Sequence, residues 1–180
     1  ITAAPLYHNG VVYTGISGGD REARGKLTAL DAKSGKELWK FWTVPAPGEF
    51  GSDTWPSPND PDPVKANAWK RGGGSIWTHP ALDTKSGLLF VGTGNPAPWN
   101  PRGRKGDNLY TNSVLAVKPK TGEVAWYSQT DPYDPFDHDG VNALVQADIK
   151  VDGEMKKVLK CGSAIDSATE KFDNVVDLPT

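Results

Sequence analysis

The sequence predicts an all-β domain in which units of short strands repeat, and three observations support this prediction. Glycine and proline supply 20 and 15 of the 180 residues, a composition that favours many turns and few long helices. Apolar runs at residues 11–14 and 88–91 are each followed by glycine. Residues 29–39 and 116–126 each contain a strand, a turn built on Ser/Thr-Gly, and a second strand that ends on tryptophan.

These features recur in the same order along the chain. Gly15 and Gly92 end the apolar runs, and Gly35 and Gly122 follow at the tryptophan hairpins with a similar separation. A repeat of this size holds about four short strands with inserted loops, as in a β-propeller blade. Two coincidental hairpins are the alternative, because turns of the Asp/Lys-x-x-Ser/Thr-Gly type are common.

The remaining segments are less regular. Residues 44–71 contain many prolines and no apolar period, which predicts a long loop with a functional or peripheral role. Residues 143–149 and 157–160 resemble the first strands of a third unit, and residues 161–180 are not placed. The chain does not begin with methionine, and we expect residues 1–180 to be a fragment of a single domain from a longer protein.

The net charge, the cysteine count and the length of the apolar runs argue against several classes of function. A net charge of −2 argues against nucleic acid or an anionic membrane as the partner. Cys161 is the only cysteine, which excludes a disulfide within the chain and a thiolate metal cluster. No apolar run reaches the roughly 18 residues that a membrane-spanning helix needs.

Two short motifs resemble ligand-binding loops, but each lacks a feature that the corresponding site requires. Residues 92–97 fit the loose Gly-x-Gly-x-x-Ala fingerprint of dinucleotide sites, which requires a helix to begin there. The prolines and the tryptophan around this segment prevent such a helix. Asp-His-Asp-Gly at residues 137–140 resembles a calcium-loop core, but the EF-hand register would put Pro135 and Gln146 at essential ligand positions.

Oxygen-bearing side chains follow the repeated strands. Asp20 comes after the first apolar run, Asn95 after the second, and Asp137 and Asp139 lie in an acidic loop further on. If successive blades bring these loops to one end of a central axis, the side chains converge on a site that suits a hard cation. Each residue is also an ordinary turn former. Trp77 follows three glycines and offers either a platform for a planar ligand or a packed ring.

Four segments have a distinctive composition: residues 72–77, 92–100, 106–110 and 134–142. In these segments the sequence resembles the quinoprotein alcohol dehydrogenases, which carry pyrroloquinoline quinone (PQQ) and a metal ion in an eight-bladed propeller. The tryptophan hairpins are similar to the family's docking motifs, which join neighbouring blades. The resemblance extends to about residue 160 and implies a partial eight-bladed propeller of about two blades and part of a third.

The resemblance implies roles for individual residues. Asn95 corresponds to a metal-ligating asparagine, and Trp77 to the tryptophan on which the quinone stacks. Asp137 corresponds to the catalytic aspartate, the proposed general base, and is also expected at the metal. Asp20 falls where the family has a metal-binding glutamate. The residues at quinone-contacting positions are Thr2, Ser17, Gly18 and Gly19.

Three features need separate interpretation. Asp20 is one methylene shorter than the expected glutamate, and Glu22 is a substitute that lies out of register. Asp139, two residues after the catalytic aspartate, resembles the mark of the lanthanide-dependent branch, since a trivalent ion has more charge to neutralise. We expect a lanthanide, with Ca²⁺ as the alternative; a simple turn aspartate is the other interpretation of Asp139. The family's basic quinone-contacting residue has no counterpart within residues 160–164.

The resemblance implies that the parent protein is an oxidoreductase that converts a primary alcohol to an aldehyde and passes electrons to a cytochrome c in the periplasm. A homodimeric parent is a further expectation. We expect the isolated fragment to be inactive and poorly soluble, because an open propeller exposes apolar blade faces. A non-catalytic propeller scaffold that binds proteins is the alternative, in which Asn95 and Asp137 would be incidental.

Overall fold

The computed structural model describes residues 1–151, 153–160, 165–166, 171–172 and 175–177. The strands are β1 (Leu6–His8), β2 (Val11–Gly15), β3 (Lys26–Asp31), β4 (Glu37–Trp42), β5 (Ala81–Asp83), β6 (Leu88–Gly92), β7 (Ser113–Val117), β8 (Val124–Gln129), β9 (Val145–Val151), β10 (Glu154–Lys160), β11 (Ile165–Asp166), β12 (Lys171–Phe172) and β13 (Val175–Asp177). The helical turns are α1 (Pro63–Ala66) and the 3-10 turns Gly19–Arg21, Ser52–Thr54, Ala68–Arg71 and Pro101–Gly103. None of the described helices is long and apolar enough to cross a membrane.

Two four-stranded sheets repeat the same architecture. Strands β1 to β4 form one antiparallel sheet in chain order, and β5 to β8 form the second. Both sheets carry a register shift at the same place in their last hairpin, at Ala29/Leu30 and at Ala116/Val117. Each sheet is the meander of a propeller blade, so we call them blade 1 and blade 2. The prediction of an all-β partial propeller is confirmed, and coincidental hairpins are excluded.

Trp39 joins blade 1 to blade 2. Its indole Nε1 donates a hydrogen bond of 2.9 Å to the main-chain oxygen of Pro119 in the β7–β8 turn. A Cβ atom on Gly122 would lie only 2.6 Å from the Trp39 ring, so the turn glycine makes room for the indole. Glycine at this position therefore serves both the turn, with its positive φ of 77°, and the contact between blades.

Trp126 occupies the equivalent position in blade 2. It packs on Phe90 with ring centroids 5.8 Å apart at 45°, while Trp39 packs on Tyr13 at 5.9 Å and 44°. Unlike Trp39, Trp126 has a buried indole N–H with no hydrogen-bond partner among the described residues. The two hairpins thus share their aromatic packing. They differ in whether a neighbouring turn accepts a hydrogen bond from the indole N–H.

Buried apolar side chains form three clusters. The first fills the space between the two blades and includes Leu27 and Leu115. The second connects blade 2 to the β9–β10 hairpin through Phe90 and Leu159. The third lies within the loop 44–71 around Trp55. Burial of these side chains is the main stabilisation of the blade contacts.

The side chain of Arg24 holds the loop 44–71 on blade 1. The guanidinium of Arg24 lies 4.7 Å from the ring of Trp42 and 4.8 Å from that of Trp69, and its Nε donates to the carbonyl of Val44. The prediction of a long irregular loop holds for most of the segment, and the short helical turns within it give it a small core of its own.

A third group of strands follows blade 2. Strands β9 and β10 pair antiparallel, and the sheet order is β13-β10-β9. The Lys157 ammonium bonds to the buried carboxylate of Asp83 at the end of β5, which ties this hairpin to blade 2. The expected absence of a basic quinone-contacting residue concerns mainly residues 161–164, which lie outside the described residues.

Candidate metal and cofactor site

The candidate site lies where three loops meet at one end of the two blades. Asp20 is carried by the 3-10 turn Gly19–Arg21 after β2, and Asn95 lies three residues after the end of β6. Asp137 and Asp139 lie in the connection between β8 and β9. The convergence of these loops at one end of the blades is the arrangement that the repeat predicts.

Asn95 is the central residue of the site. It is 4% exposed, and its main-chain N–H donates to Asp139 Oδ1 at 3.0 Å. Its side-chain Nδ2 donates to Asp20 Oδ1, also at 3.0 Å. Because these contacts use nitrogen donors, the side-chain carbonyl oxygen is left as a potential ligand.

Asp20 is exposed and receives its hydrogen bonds from blade 2. Its Oδ1 accepts from Asn95 and, at 3.3 Å, from the indole Nε1 of Trp99. Trp99 was not predicted as a site residue, although an aromatic side chain in a proline-rich turn is a signal that could have suggested it. Glu22, the alternative to Asp20, is paired with Arg71 at 3.1 Å.

Burial and neighbouring negative charges raise the pKa of two carboxylates at the site, Asp137 and Asp139. Burial is the largest cause that raises the pKa of Asp139, and the charge of Asp20 raises it further. For Asp137, desolvation and then the charges of Asp20 and Asp139 raise the pKa. A cation bound among these carboxylates would offset the repulsion between their negative charges.

The predicted residues line one cavity of about 390 Å³. Its lining residues are Thr2, Ser17, Gly18, Gly19, Asp20, Ser75, Trp77, Asn95 and Asp139. All the predicted site residues except Asp137 therefore line the cavity. Asp137 is exposed beside it, in a left-handed conformation with φ of 65°. Ser75 is an additional residue that sequence reasoning missed, although it lies within the distinctive segment 72–77.

Trp77 forms an open wall of the cavity. It is 38% exposed, and the hydroxyl of Thr2 donates to its main-chain oxygen at 3.1 Å. Its side chain also hydrogen-bonds the carboxylate of Asp139. The structure therefore favours the platform interpretation over a fully packed ring.

Gly94 allows Asp139 to approach the loop of Asn95. A Cβ atom at this position would lie 2.7 Å from Asp139 Oδ1 and 3.3 Å from the carbonyl of Ser75. Any larger residue would therefore displace the carboxylate. This glycine belongs to the motif that sequence reasoning compared with a dinucleotide loop, and its role is close packing against Asp139.

A second acidic group lies in the same connection. Ligand atoms of Asp131, Asp134 and His138 all lie within 4.8 Å of one another. The carboxylate of Asp134 accepts hydrogen bonds from Asn112 Nδ2 and from the main-chain N–H groups of Phe136 and His138. These internal donors satisfy the buried carboxylate, so the group serves to shape the loop that carries Asp137 and Asp139.

A family profile described as "PQQ: Glucose/ethanol/alcohol dehydrogenase, beta-propeller domain" matches residues 1–163. The chain belongs to this PQQ propeller family. Its relatives include the quinohemoprotein alcohol dehydrogenase ADH-IIG of Pseudomonas putida, 38% identical over 88% of this chain and 23% of that protein. The lanthanide-dependent methanol dehydrogenase of Methylorubrum extorquens is 34% identical over 99% of this chain and 33% of that protein.

Solved structures agree with this assignment. A europium-containing methanol dehydrogenase superposes with a TM-score of 0.78 at 32% identity, over 88% of this chain and 29% of that chain. The quinohemoprotein alcohol dehydrogenase from Comamonas testosteroni gives 0.81 at 30% identity, over 100% and 29%. The chain thus spans about a quarter to a third of the length of these relatives.

The cavity of this PQQ propeller chain fits a cation and a planar organic group. The mutually repelling carboxylates and the amide of Asn95 are oxygen donors of the kind that hard cations prefer. The open face of Trp77 and the hydroxyls of Thr2, Ser17 and Ser75 suit a flat ligand with polar edges. The volume of about 390 Å³ lies within the usual range of cofactor sites.

Proposed function

We propose that this chain forms part of the active site of an enzyme that oxidises a primary alcohol to an aldehyde with PQQ and a metal ion. The observation that carries the proposal is the convergence of Asp20, Asn95 and Asp139 on one cavity beside Trp77. A protein-binding scaffold has no need for such a concentration of repelling carboxylates.

The residues divide into two groups. Asp20, Asn95, Asp137 and Asp139 would hold the metal ion, and Trp77 would support the quinone. Thr2, Ser17, Gly18 and Gly19 would contact the quinone edges. When bound, the quinone supplies the two-electron acceptor and the metal polarises it as a Lewis acid.

Asp137 is the proposed base that accepts the hydroxyl proton of the alcohol. Burial and the charges of Asp20 and Asp139 raise its pKa, which makes its carboxylate a stronger base than an ordinary aspartate. Its exposure beside the cavity gives an alcohol access to the carboxylate.

We propose a lanthanide as the metal, with Ca²⁺ as the alternative. Asp139 brings a third carboxylate to the site, beside Asp20 and Asp137, and three negative charges match a trivalent ion. Two of the similar proteins are named as lanthanide-dependent and europium-containing. Transfer of electrons to a cytochrome c, a periplasmic location and a homodimeric assembly remain proposals that rest on the resemblance alone.

Reconstitution of the full-length protein tests the proposal. The metal-free protein would be loaded with PQQ and either lanthanum or calcium, and dye-linked oxidation of primary alcohols measured. We expect activity with at least one metal and its loss in Asp137→Asn, which keeps the shape of the side chain without its basicity. Inactivity with both metals would overturn the proposal and favour the scaffold.

A further inference from the structure

Arg104 is the largest side chain that is fully buried in the described part of the chain, with 0% of its surface exposed. It belongs to the same β6–β7 connection as Asn95, and its guanidinium faces the loop that carries Asp137 and Asp139. Burial lowers the pKa of its guanidinium, which shows that the surroundings disfavour a charge there. A residue that only filled space at this position would not need to be charged.

The guanidinium uses all five of its N–H donors. The bonds are Nε to Pro98 O (2.6 Å), Nη1 to Asn108 Oδ1 (2.9 Å), Nη1 to Tyr133 O (3.4 Å), Nη2 to Trp99 O (3.2 Å) and Nη2 to Asp134 O (2.5 Å). All five acceptors are neutral oxygens, and four of them are main-chain carbonyls. Full use of the donors offsets the cost of burying the charge.

The acceptors belong to the loops that form the site. Pro98 and Trp99 follow Asn95 in the same loop, and Trp99 also bonds to Asp20. Tyr133 and Asp134 precede Asp137 in the acidic loop. One planar group therefore bonds directly to the backbones of both loops.

We propose that Arg104 is a positioning residue that sets the separation between the loop of Asn95 and the loop of Asp137 and Asp139, and so controls cation affinity at the site. The inference rests on the proposed metal site. A cation must contact ligands from both loops at once, and small displacements of a ligand loop weaken such sites strongly.

Lysine cannot replace arginine in this role. Its ammonium has three donors at one point, whereas the guanidinium presents five donors in a rigid plane. Arg104→Lys therefore keeps the charge but cannot bond to both loops in the same geometry. We expect the loops to separate or rotate relative to each other in this variant.

Terbium luminescence of the full-length protein, free of PQQ, tests the inference without relying on activity. Tryptophans at the site sensitise bound terbium, and emission lifetimes in H₂O and D₂O count the water molecules on the ion. For Arg104→Lys we expect terbium affinity to fall by about 10- to 100-fold. We also expect more water on the ion, because one protein ligand is lost.

Lys157→Met is the matched control. It breaks the pair with the buried carboxylate of Asp83, which lies at the end of β5 and pairs with Leu88 at the start of β6. The change therefore lowers stability at the end of β6 that is far from Gly92 and the site. Its terbium affinity and hydration number should equal those of the wild type. Both variants are measured in about 1 M sucrose, which favours the folded state.

The outcomes separate this inference from the proposed function. Absence of terbium binding by the wild type would overturn both. Normal binding by the wild type, with an unchanged affinity and hydration number in Arg104→Lys, would overturn the role of Arg104 alone. If Arg104→Lys does not fold, Arg104→Ala is measured with added methylguanidinium or methylammonium. Recovery of terbium binding with methylguanidinium alone supports the inference. Equal terbium binding with the two added cations overturns it.

Discussion

Blade 1 and blade 2 contribute to the candidate site in different ways. In blade 1 a short connection, residues 16–25, presents the exposed carboxylate of Asp20 to the site. In blade 2 the equivalent connection, residues 93–112, is twice as long and holds the buried Asn95 and Arg104. The same four-stranded framework therefore carries an exposed candidate ligand in blade 1 and a longer, internally hydrogen-bonded loop in blade 2.

The difference shows where the geometry of the site is determined. Asp20 is held by donors that belong to blade 2, Asn95 and Trp99. Asp139 is held by the main chain of Asn95 and fits only because residue 94 is glycine. Changes in the blade 2 loops should therefore affect the site more than changes in blade 1.

The largest expected effect comes from Asp139→Asn. The variant keeps an oxygen that accepts from the Asn95 N–H and removes one of the three negative charges. We expect terbium affinity to fall by about 100-fold, the upper end for changes at metal sites, and calcium affinity to fall much less. Titration calorimetry with both ions measures this. An equal loss for the two ions would argue against a lanthanide site.

Gly94→Ala should weaken binding without removing any ligand. Its Cβ would displace Asp139, so we expect terbium affinity to fall by about 10- to 100-fold. Gly103→Ala is the matched control, since its Cβ would lie 3.6 Å from Pro98 Cγ, an ordinary contact. A Gly94→Ala protein that binds like the control would show that Asp139 is not positioned by this contact.

Asp20 tests the contribution of blade 1. Asp20→Asn should lower terbium affinity by about 10-fold, at the lower end of such changes, because the residue is exposed. Asp20→Glu lengthens the side chain by one methylene and should raise affinity above that of the wild type. Lower affinity in Asp20→Glu than in Asp20→Asn would mean that the short side chain is already matched to its blade 2 donors.

Because the pKa of Asp139 is raised, the stability of the metal-free protein should depend on pH. An acid whose pKa is higher in the folded state is destabilising when ionised, and this cost disappears as the pH falls through that pKa. Without metal, Asp139→Asn should therefore be more stable than the wild type at neutral pH. The difference should shrink on acidification toward the ordinary aspartate range. Urea unfolding at several pH values measures it, and a difference that grows on acidification would contradict the shift.

The smallest effect concerns the two equivalent tryptophans. Trp39→Phe loses the hydrogen bond to Pro119, whereas Trp126→Phe removes an N–H that has no partner among the described residues. In this chain Trp39→Phe should be more destabilising by about 1 kcal/mol. Thermal unfolding of both variants decides the comparison, and equal losses would mean that the indole hydrogen bond contributes nothing between the blades.

The sequence predicts the framework because the framework is local. Apolar runs that end at glycine and hairpins that end on Trp39 and Trp126 encode the strands and their order. The convergence of Asp20, Asn95 and Asp139 could also be expected, since equivalent loops of neighbouring blades lie at one end. Their roles came from the resemblance to a family rather than from spacing.

Other features are not visible in the sequence because they depend on contacts between distant loops. Nothing in the neighbourhood of Arg104 indicates that it is buried and bonded to Tyr133 and Asp134. Likewise, the contact between Trp99 and Asp20 joins different blades. Ser75, which lines the cavity, accepts a hydrogen bond at its main-chain oxygen from the N–H of the distant Gly94. Such contacts are fixed by tertiary packing, which no local pattern encodes.

The position of the cation can be measured most directly by anomalous diffraction from crystals of the full-length protein soaked with terbium. We predict one strong peak within about 2.6 Å of ligand oxygens from Asp20, Asn95 and Asp139, beside Trp77. A peak only at the Asp131, Asp134 and His138 group, or no peak in the cavity at saturating terbium, would contradict the proposed site.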